Sequence, residues 1–416
     1  MGLIVQKYGG TSVGTPERIR TVAQRVLATQ REGSRVVAVI SAMAGVTDNL
    51  LKLASEMSPD PDKRELDLLL ATGERAASAL VTMAINALGG KAISLTGAEA
   101  GILTDAAHTR ARIANISSKQ IQELLAEDYI VVVAGFQGQT AEGETTTLGR
   151  GGTDLSAIAL AGALNADACQ IFTDVDGVFT CDPRVVGDAK KVDEIAYDEL
   201  LEMAGSGAKV MQSRAVEFAK KFGVEFEVRS SFNKNVGTIA KEETPGMEDV
   251  VIRGISIDRK QAKVTVDDVA DEAGIAGRIF SVIARSNTVV DMIVQSVTDR
   301  GTTDISFTIH ENDLDSARKV LEPLVKEVKA AGLITKSGCA KLSVVGIGMR
   351  SHSGVAARLF ECLGQGGINI ELISTSEIKI AVVIDEKDVE RAAQLAHAEF
   401  GLARLAPGTE AIRPLG

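Results

Sequence analysis

Five short apolar runs punctuate the first 240 residues: "LIVQKYG" (3–9), "RVVAVISA" (35–42), "AISLTG" (92–97), "YIVVVAGF" (129–136) and "CQIFTDV" (169–175). They are nearly continuous in apolar residues, without the polar alternation of a strand that keeps one face in water. Segments of helical period separate them, the first near 16–31. Strands buried on both faces and joined by helices form a mostly parallel sheet sandwiched by helices, so the chain is expected to be α/β. Such sheets bind ligands at the carboxyl ends of their strands. The glycine-rich and polar segments fall there, after Val5, Ile40, Ala134 and Phe172.

A chain of 416 residues is too long for one ordinary core. The polar stretch "KEETPGMEDVVI" (241–252), with Pro245-Gly246, is expected to be a linker. Beyond it the sequence repeats itself. "AKVTVDDVADEAGIAGRIFSVIARSNTVVDMIVQS" (262–296) aligns with "AKLSVVGIGMRSHSGVAARLFECLGQGGINIELISTS" (340–376). Each copy runs on into a strand, "DISFTIH" or "IKIAVVI", and a helix, 313–330 or 386–400. Both therefore read strand, loop, helix, strand, strand, helix, a ferredoxin-like unit. The expected domains are 1–240, the linker 241–252, and two small units over 253–335 and 336–416.

Net charge is −11, which argues against nucleic acid or an anionic membrane as the main partner. Aromatic residues are 3% with no Trp, too few for base-stacking platforms. Cys169, Cys181, Cys339 and Cys362 form no CxxC and the four histidines are scattered, so no metal site is expected. No apolar run reaches the ~18 residues of a membrane span and the N-terminus has no signal-peptide layout. A cytoplasmic protein is expected.

Several stretches carry chemistry. In "VQKYGGTSVG" (5–14), Lys7 and the Gly9-Gly10 pair follow the first strand. Glycines let backbone N–H groups approach an anion and lysine adds a point charge, although a solvated lysine beside a tight turn gives the same letters. In "TLGRGGTDLSAIALA" (147–161), Thr153 and Asp154 suit a helix cap. Capping alone leaves Arg150 and Gly151-Gly152 unexplained. A guanidinium beside exposed helix-start N–H groups forms a receptor for carboxylate or phosphate. "FTDVDGVFTCDPR" (172–184) reads equally as a hairpin-like turn or as a nucleotide edge. Glu74, in "LLLATGERAASALVTMAI", is either an exposed charge or a carboxylate beside a close approach at Thr72-Gly73. Lys209 in "GSGAKVM" is either solvated or a second cation. A P-loop and a GxGxxG dinucleotide site are absent, and the four scattered histidines offer no Ser-His-Asp logic.

Taken together and in order, "KYGGTSV", "TGER", "TLGRGGTD", "TDVDGVFTCDPR" and "GAKV" closely resemble the bacterial aspartate kinases, over essentially the whole chain. The resemblance implies an amino-acid kinase fold followed by two ACT domains. It implies ATP-dependent phosphorylation of the side-chain carboxylate of L-aspartate to 4-phospho-L-aspartate, with Mg2+ held largely by phosphate oxygens and water. This step leads toward lysine, threonine and methionine. Catalysis would rest on Lys7, Asp154 and Lys209, the two lysines straddling the transferred group and Asp154 holding them. ATP would meet Lys7, Tyr8, Gly9, Gly10, Thr173, Asp174, Phe179, Arg184, Lys209 and Val210. Aspartate would meet Ser41, Thr47, Glu74, Arg150, Gly151, Gly152 and Thr153. No protein metal ligand is implied.

For the ACT pair, the resemblance implies feedback by lysine and threonine, or by lysine alone, and self-association as a homodimer or higher through these domains. The effector residues would be Asp271, Gly274, Ile275, Ala276, Asp291 and Gln295 in the first unit. In the second they would be Asn369, Ile370, Ser376 and Glu377. ACT effector loops often carry proline before the glycine. Here they read "DEAG" (271–274) and "SHSG" (351–354), without that φ restraint. Met247, at the start of the regulatory half, is either an ordinary residue or an internal start for a small subunit.

Overall fold

The computed structural model describes residues 2–208, 210–244, 251–286, 288–297, 301–350 and 352–403. The chain divides into two compact units. The first holds 2–178, 191–204 and 210–244; the second holds 179–190, 205–208 and the described residues beyond 250.

The first unit is built on an eight-stranded sheet. Its order is Glu194–Ala196, Thr238–Lys241, Phe226–Ser230, Ala168–Thr173, Leu3–Tyr8, Arg35–Ile40, Ile130–Ala134 and Ala92–Leu95. Every neighbouring pair is parallel except Phe226–Ser230 with Thr238–Lys241. The five apolar runs all supply strands, and Val36 to Ile40 and Ile130 to Ala134 are buried throughout. Helices Pro16–Arg31 and Lys63–Ala87 cover one face through Ile19, Val22, Val26, Ala77, Val81 and Ile85. Lys63–Ala87 is long and apolar enough to cross a membrane by length and composition. Its buried side includes Asp67 and Glu74, which marks it as a core helix of this fold. Helix Gly152–Leu164 is apolar on every side and is buried along nearly its whole length. A smaller sheet, in the order Ile113–Ile116, Ile102–Thr104, Gln137–Gln139, Thr145–Thr147, completes the unit.

In the second unit, the repeats share one six-stranded sheet: Val290–Val297, Thr302–His310, Gly254–Ala270, Gly332–Val345, Lys379–Asp385 and Leu372–Thr375. Its two long central strands run antiparallel, and the repeats exchange their ends. Residues 254–258 pair with 341–345 in the second repeat, whereas 332–336 pair with 263–267 in the first. The register breaks between, where Lys260 and Gly338 adopt positive φ of 59° and 67°. These bends are spaced as Ala262 is from Ala340, so each repeat bends at the same place. The first repeat closes its core with helices Ile275–Arg285 and Leu314–Glu327. The second uses helices Val355–Gln365 and Val389–Glu399, and also takes in Ile252, Ile255, Cys181, Val186 and Ala189. Of the stretch read as a linker, Lys241 ends a strand, Ile252 is buried, and 245–250 lie outside the described residues.

Segment 179–190 belongs to this second unit for a physical reason. Thr180 donates to Leu402 O at 3.1 Å, lies 2.9 Å from His397 Nε2, and gives its backbone carbonyl to Ile255 N–H at 2.7 Å. Burial holds the His397 imidazole below its ordinary pKa, although Asp188 opposes this.

Candidate active site

Three adjacent strands end together in the first unit, after Tyr8, Ile40 and Thr173. Gly9 N–H donates to Phe172 O at 3.2 Å, Ser41 N–H to Tyr8 O at 3.1 Å, and Ala44 N–H to Gly10 O at 3.1 Å. A Cβ on Gly10 would lie 2.8 Å from Ala42 O, so only glycine lets these two loops close. Lys7 points beneath this floor. Its Nζ lies 2.6 Å from Asp154 Oδ1, and both side chains are about nine-tenths buried, at 10% and 12% exposure. Asp154 stands in the first turn of helix Gly152–Leu164. Gly135, after the next strand, brings that helix in: a Cβ there would lie 2.5 Å from Thr153 Cγ2. Lys7, Gly9, Gly10, Thr153 and Asp154 are therefore one constellation at the carboxyl edge of the sheet.

Glu74 enters from helix Lys63–Ala87. Gly73 lets the helix approach, since its Cβ would lie 2.9 Å from Ala42 Cβ. Glu74 Oε1 accepts Ala42 N–H at 3.1 Å, while Oε2 is buried with no hydrogen-bond partner among the described residues. Burial pushes the carboxyl up to about 7, against the backbone hydrogen bonds that pull it down. An isolated buried carboxylate is costly unless a cation arrives. Ser41 and Thr47 flank the same loop and are half-buried. Arg150 is exposed, between Gly149 and Gly151 at φ of 78° and 69°. Gly151 also packs on Gln212, whose Cγ would lie 2.0 Å from an added Cβ. Gly151 has no side chain to cap the helix, so helix-start N–H groups remain for an anion beside the guanidinium.

On the other side, Thr173 Oγ1 donates to the exposed Asp174 at 3.1 Å. Tyr8 turns its ring inward: it stacks on Phe172 at 4.8 Å, its hydroxyl donates to Gln6, and burial raises its pKa. Only its backbone faces the strand ends. Phe179 packs against the core of the second unit, and Arg184 holds Asp182 at 2.7 Å there. Val210 is half-buried before helix Ser213–Phe222, and Lys209 lies outside the described residues.

Three side chains that support the site escape a local reading. Arg25 donates to the carbonyls of Ser230, Ser231 and Asn233 at 3.2, 3.2 and 2.7 Å, and stacks on Phe172 at 4.7 Å. It clamps loop 230–237, whose Ser231 N–H donates to Thr173 O and whose Asn233 donates to Asp176. The fully buried Asp67 accepts Thr147 Oγ1–H at 2.5 Å and Thr109 N–H, and lies 2.9 Å from His108 Nδ1. Arg214 holds the Leu148 carbonyl at 2.6 Å. Together they fix the strand leading into Arg150. The sequence signals were the polar run "SSFNKN" after an apolar strand and an acid two turns before Glu74.

In the second unit, Asp271 is exposed, Gly274 begins helix Ile275–Arg285 at φ 94°, Ile275 is buried and Ala276 half-buried. Asp291 and Gln295 lie on the edge strand Val290–Val297; Asp291 is ion-paired with Lys341. Asn369 is exposed and Ile370 packs on the second core. Ser376 and Glu377 form the exposed turn between the last two strands, Ser376 N–H donating to Lys379 O at 2.8 Å.

Residues 2–230 match the amino acid kinase family, and 264–323 and 342–400 each match the ACT domain. The chain is 50% identical over 403 residues to an aspartate kinase of Stutzerimonas stutzeri, covering 97% of this chain and 98% of that one. It is 49% identical to an aspartokinase of Pseudomonas aeruginosa, with the same coverage. Among solved structures, E. coli aspartokinase III in complex with aspartate and ADP superposes with a TM-score of 0.79 at 25% identity, covering 95% of this chain and 99% of that one. The same enzyme with lysine and aspartate superposes at 0.78 and 26%, covering 96% and 99%. The chain thus belongs to the amino acid kinase family and within it to the aspartate kinases, enzymes that phosphorylate aspartate, here with tandem ACT regulatory domains.

Proposed function

We propose that the Lys7–Asp154 constellation transfers the γ-phosphoryl group of ATP to the side-chain carboxylate of L-aspartate, giving 4-phospho-L-aspartate and ADP. The observation that carries this is the buried Lys7–Asp154 pair beneath the Gly9-Gly10 floor. A carboxylate oxygen of aspartate attacks the γ-phosphorus as the bond to the ADP oxygen breaks. The attacking group is already ionised, so no general base is needed, and positioning and charge neutralisation carry the rate. Lys7 stabilises the negative charge on the transferred group; Asp154 keeps the ammonium aimed. Lys209 is assigned the second cation from its sequence context and by resemblance. Magnesium supplies further charge neutralisation on the phosphates. Among the described residues no three His, Cys, Asp or Glu side chains cluster; the cation is taken to arrive with the nucleotide, held by phosphate oxygens and water.

Glu74 receives the ammonium of aspartate on its unpartnered oxygen, and Arg150 with the start of helix Gly152–Leu164 receives a carboxylate. Gly9, Gly10, Thr173 and Asp174 border the nucleotide phosphates. Phe179, Arg184 and Val210 are given to the nucleotide by resemblance. Feedback by lysine and threonine acts through the ACT pair; an E. coli relative solved with lysine supports an amino-acid effector. Lysine alone is the second reading. Self-association through the ACT sheet edges is supported by exposed Val289, Ile293 and Val297 on and beside an edge strand. The enzyme works in the cytoplasm.

The test traps the acyl phosphate with hydroxylamine. Aspartyl hydroxamate should form with ATP and aspartate. Hydroxamate from glutamate at an equal or higher rate would overturn the substrate assignment.

A further inference from the structure

The two ACT repeats carry a lysine and an acid at matching places. Lys263 and Lys341 follow the alanines of "AKVTV" and "AKLSV", and Asp291 matches Glu371 in "VDMI" and "IELI". In space these pairs are crossed. Lys263 of the first repeat lies 3.3 Å from Glu371 of the second, and Lys341 of the second is paired with Asp291 of the first. The equivalent residues Met292 and Leu372 meet in one small buried cluster beside them, with Cys339, Ala381 and Val383.

The two crossed pairs differ in one respect. Glu371 is held by two lysines, since Lys336 also lies 3.0 Å from it. Among the described residues, Asp291 has Lys341 as its one ion-pair partner. Asp291 is 37% exposed and open to solvent, whereas Lys341 is 2% exposed and reaches it from beneath the sheet surface. A second carboxylate, the partly exposed Asp258, lies 3.8 Å from the same Nζ.

Asp291 is one of the effector residues named above, and a carboxylate suits an amino-acid effector's ammonium group; the inference rests on that assignment. An incoming ammonium finds this carboxylate already neutralised by another. We propose that Lys341 is a tethered competitor for Asp291, so that an amino-acid effector binds by displacing Lys341 Nζ, which falls back on Asp258. The affinity of the regulatory site is then set by an internal exchange of one ammonium for another. Glu371, pinned by two lysines, stays closed to the same exchange, so the pseudo-equivalent acids are not equivalent receptors.

The test measures the concentrations of L-threonine and L-lysine that half-inhibit ADP release by the full-length enzyme. Lys341→Met should lower that concentration by about tenfold. Lys341→Arg, whose planar fork grips a carboxylate more firmly, should raise it by about threefold. Lys263→Met should leave it within about twofold, because Lys336 still holds Glu371. An unchanged or raised value for Lys341→Met overturns the proposal. If that variant does not fold, a value for Lys341→Arg at or below wild type overturns it instead. Wild-type enzyme indifferent to millimolar threonine and lysine would refute the feedback reading itself; wild type inhibited with both Lys341 variants unaltered would refute the competitor alone.

Discussion

Replacing Glu74 by glutamine separates the stability of the site from its function. Glu74 is buried, and its carboxyl is raised from an ordinary 4.5 to about 7 by desolvation. At 1.36 kcal/mol per pH unit, keeping it ionised in the empty site costs roughly 3 kcal/mol. The unfolded chain releases this proton near 4.5, and the folded chain keeps it until about 7. Between those values the folded state binds more protons, so stability falls as pH rises through the window and is level above it. Glu74→Gln removes that loss while its side-chain carbonyl still accepts Ala42 N–H. In urea melts the variant should exceed wild type by about 1–3 kcal/mol at pH 8 and match it near pH 4.5. Binding should move the other way. The ammonium of aspartate needs the ionised form, so the wild-type KM for aspartate should fall by up to about tenfold per pH unit on approaching pH 7 and be flat above. The variant's KM should be raised about 10–100-fold, the worth of one charge-assisted hydrogen bond, and be flat across this range. Equal wild-type and variant stabilities at pH 8, with a wild-type KM insensitive to pH, would refute the reasoning.

Lys7→Ala should lower kcat by about 10²–10³-fold, the scale of a deleted transition-state charge contact, with the fold intact by circular dichroism; kcat within a few-fold of wild type would count against its role. Asp154→Asn should lower kcat more than it raises the KM for aspartate, since it frees Lys7 rather than removing a substrate contact. Gln295→Ala should relieve the threonine part of the inhibition, read as a raised half-inhibitory concentration; inhibition equal to wild type would remove Gln295 from the effector site. Expression of the unaltered gene should yield a second band the size of residues 247–416 that vanishes in Met247→Leu, if the internal start is used. Absence of that band from wild type refutes the idea.

The way the Lys7–Gly10 loop and the start of helix Gly152–Leu164 come together was legible because its signals are local. Lys7 and Gly9-Gly10 directly follow an apolar strand, and Arg150 to Asp154 directly precede an apolar helix. Parallel-sheet geometry then brings such strand ends together. Tyr8 shows the limit of the same reasoning. It sits at the strand end, but alternation along the strand turns its ring into the core against Phe172. Asp67 and Arg25 were missed for a different reason. Each acts on backbone carried by residues far along the chain, Thr109 and Thr147 for the first and 230–233 for the second. The exchanged strand ends of the ACT pair were also hidden. A repeat in sequence gives the units, but which half of Gly254–Ala270 pairs with which repeat depends on the bends at Lys260 and Gly338. Segment 179–190 reads as part of a nucleotide turn and yet packs on the second ACT repeat, because Cys181, Val186 and Ala189 find their apolar partners there.

The most direct test of the central claim is coupled ADP release by wild type and Lys7→Ala with aspartate, glutamate and N-acetylglutamate as acceptors. The account predicts ATP-dependent turnover with aspartate in the wild type, little with the other two acids, and near-complete loss in the variant. Turnover favouring glutamate, or aspartate-dependent turnover that survives the loss of Lys7, would contradict it.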